Sequence, residues 1–304
     1  MRAKSILCVG ALTCDLVLQV PALPTGAGKL MASRSTLVAA GMAASAATAI
    51  ARLGHQVSLW ASVGGDRLGD HAIAEMALEG IDTRFVRIVH GASSAVAAII
   101  VDSNGERMVI PHYEAAILAR PANLPPFADF GAVLADVRWP AAAALALDAA
   151  RELGRPAILD LDAGPPEDLS ALAARATHVI GSLQGATLLT GETKPEECIK
   201  ALRRFTSAAL LAVTDGERGV WFSVGDGGIG HIPAFAVNAV DTNAAGDIFH
   251  GAFAVALDDG HDPVAALRFA SAAAAIKCTR YGGRTGAPTR DEVSAFMARR
   301  PVDS

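Results

Sequence analysis

Asp241-Thr242-Asn243-Ala244-Ala245-Gly246-Asp247-Ile248-Phe249-His250-Gly251 is a turn of small residues that passes without a break into an apolar helix. The first turn of a helix leaves backbone N–H groups unpaired and carries the positive end of the dipole, so it holds anions. Ala244, Ala245 and Gly246 add no bulk there, which leaves the amides of residues 245 to 247 open to a phosphate. Asp247 is out of place in a pure binding turn, because a carboxylate repels a phosphate. Its chemistry suits a base that takes the proton from a hydroxyl attacking phosphorus. The plainer alternative is an acidic first-turn residue that complements the dipole.

Outward from this turn the chain alternates between strand and helix patterns. Residues 5–10 form a short apolar run closed by Gly10, and 57–62, 132–135, 157–160, 178–180 and 209–213 repeat that pattern. Between them, the Ala-rich stretch 42–53 ending at Gly54, the stretch 70–79 ending at Gly80, and 141–153 and 194–206 read as helices. Such alternation predicts a mostly parallel sheet covered on both faces. Two segments break the rhythm. Residues 16–38 contain strand-like pieces around Pro21, Pro24 and Gly26, and residues 95–111 flank Asp102-Ser103-Asn104-Gly105, a hairpin signal. They predict a small antiparallel lid over the carboxyl ends of the parallel strands, where open α/β sheets bind ligands.

Composition narrows the classes of function. The 304 residues are 52% hydrophobic and 19% charged, enough for a sizeable core and too apolar for disorder. A net charge of −5 provides no basic field for nucleic acid or an anionic membrane, so an anion site has to be local. No uncharged apolar run approaches the roughly 20 residues needed to span a bilayer. Cys8, Cys14, Cys198 and Cys278 form no C-x-x-C pair and no ligand cluster, so they read as buried thiols of a cytoplasmic protein, and no protein metal site is assigned. Gly26-Ala27-Gly28-Lys29-Leu30 fails as a P-loop, since Leu23 and Leu30 stand where Gly and Ser or Thr belong. The dinucleotide pattern G-x-G-x-x-G and the G-x-S-x-G elbow are missing as well.

Val63-Gly64-Gly65-Asp66-Arg67-Leu68-Gly69 and the run 241–247 followed by Phe249, Gly251 and Phe253 resemble the early and late signatures of the ribokinase or PfkB family of sugar kinases. The resemblance covers nearly the whole chain. It implies a single three-layer αβα ribokinase-like domain over 1–304, mostly parallel, with lid segments near 16–38 and 95–111. It implies ATP and Mg2+ as cofactors, with a monovalent cation as a further candidate. Asp247 becomes the general base, residues 244–247 the anion hole, and Asp15 a ligand of substrate hydroxyls. Thr214, Gly216 and Gly219 look like the family's nucleotide-binding T-x-G-x-x-G turn, for which a Gly-punctuated hairpin is the structural alternative, and Gly283 is placed at the nucleotide by the same likeness. Gly41 lies where the family binds sugar, although both early glycines and the asparagine of G-G-x-x-x-N are replaced in Ala39-Ala40-Gly41-Met42-Ala43-Ala44. Gly185 likewise stands where the family's N-x-x-E has its glutamate.

Leu134-Ala135-Asp136-Val137-Arg138-Trp139, His250, and 268–284 further resemble the 6-deoxy-6-sulfofructose kinase branch. By that likeness Lys29 and Arg138 would hold the sulfonate, with His112 beside Pro111 as a substitute for a missing asparagine donor. The expected reaction is transfer of the γ-phosphate of ATP to a sugar hydroxyl, most specifically of 6-deoxy-6-sulfofructose. A fructokinase-like or sugar-phosphate kinase and a catalytically silent sugar- or nucleotide-binding protein are the alternatives. The expected partners are a small sugar and a second copy of the chain paired through the lid.

Overall fold

The computed structural model describes residues 5–103 and 106–300; the Asn104-Gly105 step of the expected hairpin lies outside them. The strands are β1 Ser5–Gly10, β2 Thr13–Gln19, β3 Arg34–Ala40, β4 Val57–Gly64, β5 Arg87–Val89, β6 Val96–Val101, β7 Arg107–His112, β8 Phe130–Ala135, β9 Ala157–Leu161, β10 His178–Ser182, β11 Leu210–Thr214, β12 Val220–Val224 and β13 Gly230–Ile232. The helices are α1 Met42–Arg52, α2 Arg67–Leu78, α3 Ala115–Leu118, α4 Pro140–Glu152, α5 Pro166–Ala173, α6 Leu183–Thr190, α7 Pro195–Leu202, α8 Ala245–Asp258, α9 Pro263–Cys278 and α10 Arg290–Ala298.

Nine strands form the main sheet in the order β13-β12-β11-β10-β9-β8-β1-β4-β5. Every neighbouring pair from β11 to β5 is parallel, and only β12 and β13 run antiparallel at one edge. Alternation along β1 shows why both faces are covered: Ile6 and Cys8 enter a core with α1, α2, α8, α9 and α10, whereas Leu7 and Val9 enter one with α4 to α7. Small residues let the helices of the first layer come close. Gly251 of α8 sits where a Cβ would lie 2.4 Å from the Ala46 carbonyl of α1, so any side chain would push the two helices apart. Fully burying Phe253 behind that contact is worth about 1.5–3 kcal/mol.

The second sheet has the order β3-β2-β6-β7. β2 and β3 are inserted between β1 and α1, and β6 and β7 between β5 and α3, so all four project from the same end of the main sheet. β6 and β7 pair antiparallel, as the hairpin signal implies, with Glu106 N–H donating to Asp102 Oδ1 at 3.0 Å. Arg284, near the end of the chain, is buried and bonds Glu75 of α2, Glu79 just after it and the Ala39 carbonyl of β3. A guanidinium inside a protein is tolerated when its donors are spent this way.

Candidate active site

Strand order reverses about β1, with β4 on one side and β8 on the other, and the crevice opens above that switch point. A cavity of about 410 Å³ lies there, between the carboxyl ends of the parallel strands and the inner face of the second sheet. That is within the usual size range for a small-molecule site. A larger hollow of about 590 Å³ at the opposite end of the sheet gathers Asp82, Arg84 and Asp129, but Arg84 is already spent on Asp82 and the hollow has no turn aimed at an anion.

Asp136 builds the floor. Its carboxylate accepts the amides of Ala11 at 2.8 Å, Ala43 at 2.9 Å and Arg138 at 2.7 Å, tying β1, the start of α1 and the end of β8 together. Gly10, at φ 143°, lets this happen, because a Cβ there would overlap the Asp136 carboxyl. Gly41 is the N-cap of α1 at φ 104°, and a Cβ would meet the Ala11 carbonyl at 2.5 Å. Backbone of this kind admits only glycine, and it brings the first turn of α1 to the cavity wall.

The signature turn is at the centre of the site. Ala244 caps α8 at φ 61°, the one non-glycine residue with positive φ among those described, at a cost of roughly 1–2 kcal/mol. Ala245 N–H leans back on the Thr242 carbonyl at 3.2 Å. The Asp247 carboxyl lines the cavity. Burial first, then the charges of Asp162 and Asp136, push its pKa well above the usual carboxylate value, while a Ser45 hydrogen bond pulls the other way. Beneath it, buried His250 approaches the Gly246 carbonyl through Nδ1 at 2.7 Å and the Ile180 carbonyl through Nε2 at 3.2 Å, with Asp160 Oδ2 3.3 Å from Nδ1. The peptide gripped by His250 is the one whose N–H belongs to Asp247.

The other expected residues divide. Asp15 faces the cavity from β2, accepts the Thr13 hydroxyl at 2.7 Å, and is raised above its ordinary pKa by burial. Arg138 is on the cavity wall, its Nη1 donating to the Ala163 carbonyl at 2.7 Å and its Nη2 3.4 Å from Asp162. Thr214 and Gly283 also line the cavity. Gly216, at φ 53°, and Gly219, at φ 97°, shape the turn between β11 and β12 without reaching the cavity lining, and Gly219 has no room for a Cβ against the Ile232 carbonyl. The turn joins two antiparallel strands, with Thr214 as its crevice-facing member.

Lys29 and His112 are placed elsewhere. Lys29 is in the exposed loop between β2 and β3 and does not line the cavity. His112 is one step from Pro111, which does, and successive residues of a strand face opposite sides, so its side chain points away from the crevice. The structure adds groups the sequence reading did not single out. Asp160, Asp162 and Ser182 line the floor, with Ser182 Oγ donating to Asp162 Oδ1 at 3.0 Å. Arg107 reaches from β7 to the Thr242 hydroxyl at 3.1 Å. Lys277, fully buried, meets Asp241. An isolated lysine in the apolar run Ala272-Ala273-Ala274-Ala275-Ile276-Lys277 was a signal that could have marked it.

Residues 3–290 match the family described as pfkB family carbohydrate kinase. The ribokinase of Bacillus subtilis is 29% identical over 321 residues, covering 97% of this chain and all of that protein. A candidate ribokinase of solved structure from Agrobacterium tumefaciens superposes with a TM-score of 0.94 at 42% identity over 98% of both chains. The Arabidopsis thaliana ribokinase, solved with ribose and ATP, has a TM-score of 0.83 at 22% identity, covering 97% of this chain and 98% of that one, which is a likeness of fold.

Proposed function

The chain belongs to the pfkB family of carbohydrate kinases and is an ATP-dependent sugar kinase of ribokinase-like fold, and from that premise we propose how it works and on what. Asp247 acts as the base. A sugar hydroxyl held between Asp15 and the first turn of α8 gives its proton to the Asp247 carboxylate as its oxygen forms a bond to the γ-phosphorus and ADP leaves. The amides of Gly246 and Asp247 take up the charge that gathers on the phosphoryl oxygens. Each such donor contributes about 10²–10³ in rate and a positioned base about 10²–10⁴. The observation that carries this reading is the raised Asp247 carboxyl in the first turn of α8, inside a sugar-sized cavity.

No three of His, Cys, Asp and Glu converge as a metal cage among the described residues, so Mg2+ fits as an ion held mainly by phosphate oxygens and water, with Asp162 and Asp247 the carboxylates on hand. When bound it neutralises phosphate charge. Thr214 and Gly283 are the wall residues proposed for the nucleotide, with Gly216 and Gly219 holding the turn that presents Thr214.

For the acceptor we propose an anionic sugar, 6-deoxy-6-sulfofructose. Three arginines line the cavity beside five aspartates; Arg284 is spent on Glu75, Glu79 and the Ala39 carbonyl, and the other two, Arg138 and Arg107, support this choice. A coupled ADP-release assay with 6-deoxy-6-sulfofructose, fructose, fructose 6-phosphate and ribose tests it. Arg138→Met should lower kcat/KM for the sulfonated sugar by about ten- to a hundredfold and change a neutral sugar much less. A preference for ribose or fructose in the unmodified enzyme, or a ratio that Arg138→Met leaves unchanged, overturns the anionic reading and leaves the kinase standing.

The outer face of the second sheet exposes Leu16, Leu37, Met108 and Ile110, and we propose that it pairs with the same face of a second copy. No described helix is long and apolar enough to cross a membrane, and the cysteines are free thiols; both agree with the cytoplasmic setting we propose.

A further inference from the structure

Helix α9 is nearly all Ala, Ile, Leu and Val toward its end, yet in its last turn it buries a lysine with no exposed surface. The Lys277 ammonium donates to the Asp241 carbonyl at 2.6 Å and stands 3.2 Å from Asp241 Oδ2. The same carboxylate accepts Asn243 N–H at 2.7 Å and the N–H groups of Gly282 and Gly283 at 2.9 Å each. One ammonium and one carboxylate thus join three pieces of backbone: the end of α9, the turn leading into α8, and the turn at 282–283. All three surround the site where the phosphoryl group is held.

Burying a charge is expensive, and a Leu or Met would have filled this space at lower cost. The oxygens that Nζ contacts, a main-chain carbonyl and a carboxylate, are the hard donors that a small cation takes. A monovalent cation beside the phosphoryl site, one of the candidate cofactors for this family, therefore does not fit here, because those oxygens are already spent on a covalently attached ammonium. We propose that Lys277 is a built-in cation: it holds the Asp241–Ala244 turn in position behind the anion hole and frees phosphoryl transfer from any dissociable monovalent ion. The proposal rests on the kinase reading for its kinetic part. It makes Lys277 a positioning residue, since it touches the turn and not the substrate.

The test compares choline, sodium, potassium and ammonium chlorides at one ionic strength. Turnover of the unmodified enzyme should vary by less than about twofold across them, and its Tm should be the same in potassium and choline. Lys277→Ala should lower kcat about tenfold or more with the sugar KM changed less than about threefold. Ammonium, methylammonium or potassium should restore kcat saturably, because the missing side chain leaves room for a cation, and should raise the Tm of that variant alone. Saturable activation of the unmodified enzyme by potassium overturns the proposal. So does a Lys277→Ala enzyme that keeps full kcat in choline, or one that no cation restores. If Lys277→Ala cannot be purified folded, the cation series on the unmodified protein decides alone. If no sugar is turned over the kinase reading fails, and the Tm comparison still tests the cation claim.

Discussion

Asp247 owes its proton affinity to its surroundings. Burial and the neighbouring carboxylates Asp162 and Asp136 make ionisation harder in the folded chain than in the unfolded one, where an aspartate titrates near 3.9. Two consequences follow, of opposite sign. As a base Asp247 works only when ionised, so kcat should climb as pH rises through its elevated pKa; in Asp247→Asn that limb should vanish and kcat should fall by about 10²-fold or more. Because its folded pKa is the higher one, the stability it contributes is complete below the unfolded pKa and is lost as pH rises through the folded pKa. Asp247→Asn should therefore melt above the unmodified protein at neutral pH, by roughly 2–4 °C for each kcal/mol recovered, and the advantage should disappear in acid. A kcat–pH profile and melting curves of the two proteins check both. At this scale the sequence was informative where chemistry is local: the small residues before Asp247 could be read as an open helix start. It was silent on Arg107 and Asp160, whose roles depend on contacts 30 or more residues away along the chain.

The second sheet shows what an element adds to its residues. Strand periodicity of two decides that Pro111 faces the sugar cavity and His112 does not, and that Asp15, Val17, Ile99 and Val109 share the inner face. Local pattern was enough to predict the strands of the two interruptions, but not their pairing: β2 lies parallel to β6, a contact between segments some 80 residues apart that no turn signal announces. Arg107, at the start of β7, carries the tie from this sheet to the Thr242 hydroxyl beside the turn into α8. The sheet is thus held to the core at its tip as well as at its root, and we propose that it closes over substrate as a lid. Amide hydrogen exchange in β6 and β7 should slow when sugar binds. In Arg107→Gln that protection should weaken, with the sugar KM raised about three- to tenfold by loss of a charged hydrogen bond. Equal exchange with and without sugar in the unmodified protein removes the lid assignment.

For the whole molecule, the pairing we propose makes the apolar outer face of the second sheet set the association state. Leu16 and Leu37 are 41% and 45% exposed and Ile110 is 54% exposed, all on one side of four strands. Light scattering after size exclusion should give twice the chain mass, and Ile110→Lys should shift it toward the monomer, since a charge within an apolar contact is costly to bury. A monomer at every concentration contradicts the pairing.

Arg284 has a consequence of another kind. It reaches back 209 residues to Glu75 and 245 residues to the Ala39 carbonyl, while Gly282 and Gly283 reach Asp241. During synthesis the root of the second sheet and the loop leading into α8 both wait for the 282–284 turn to leave the ribosome. A chain cut before that turn keeps every described strand of the sheet but neither clasp, and should therefore show no phosphoryl transfer.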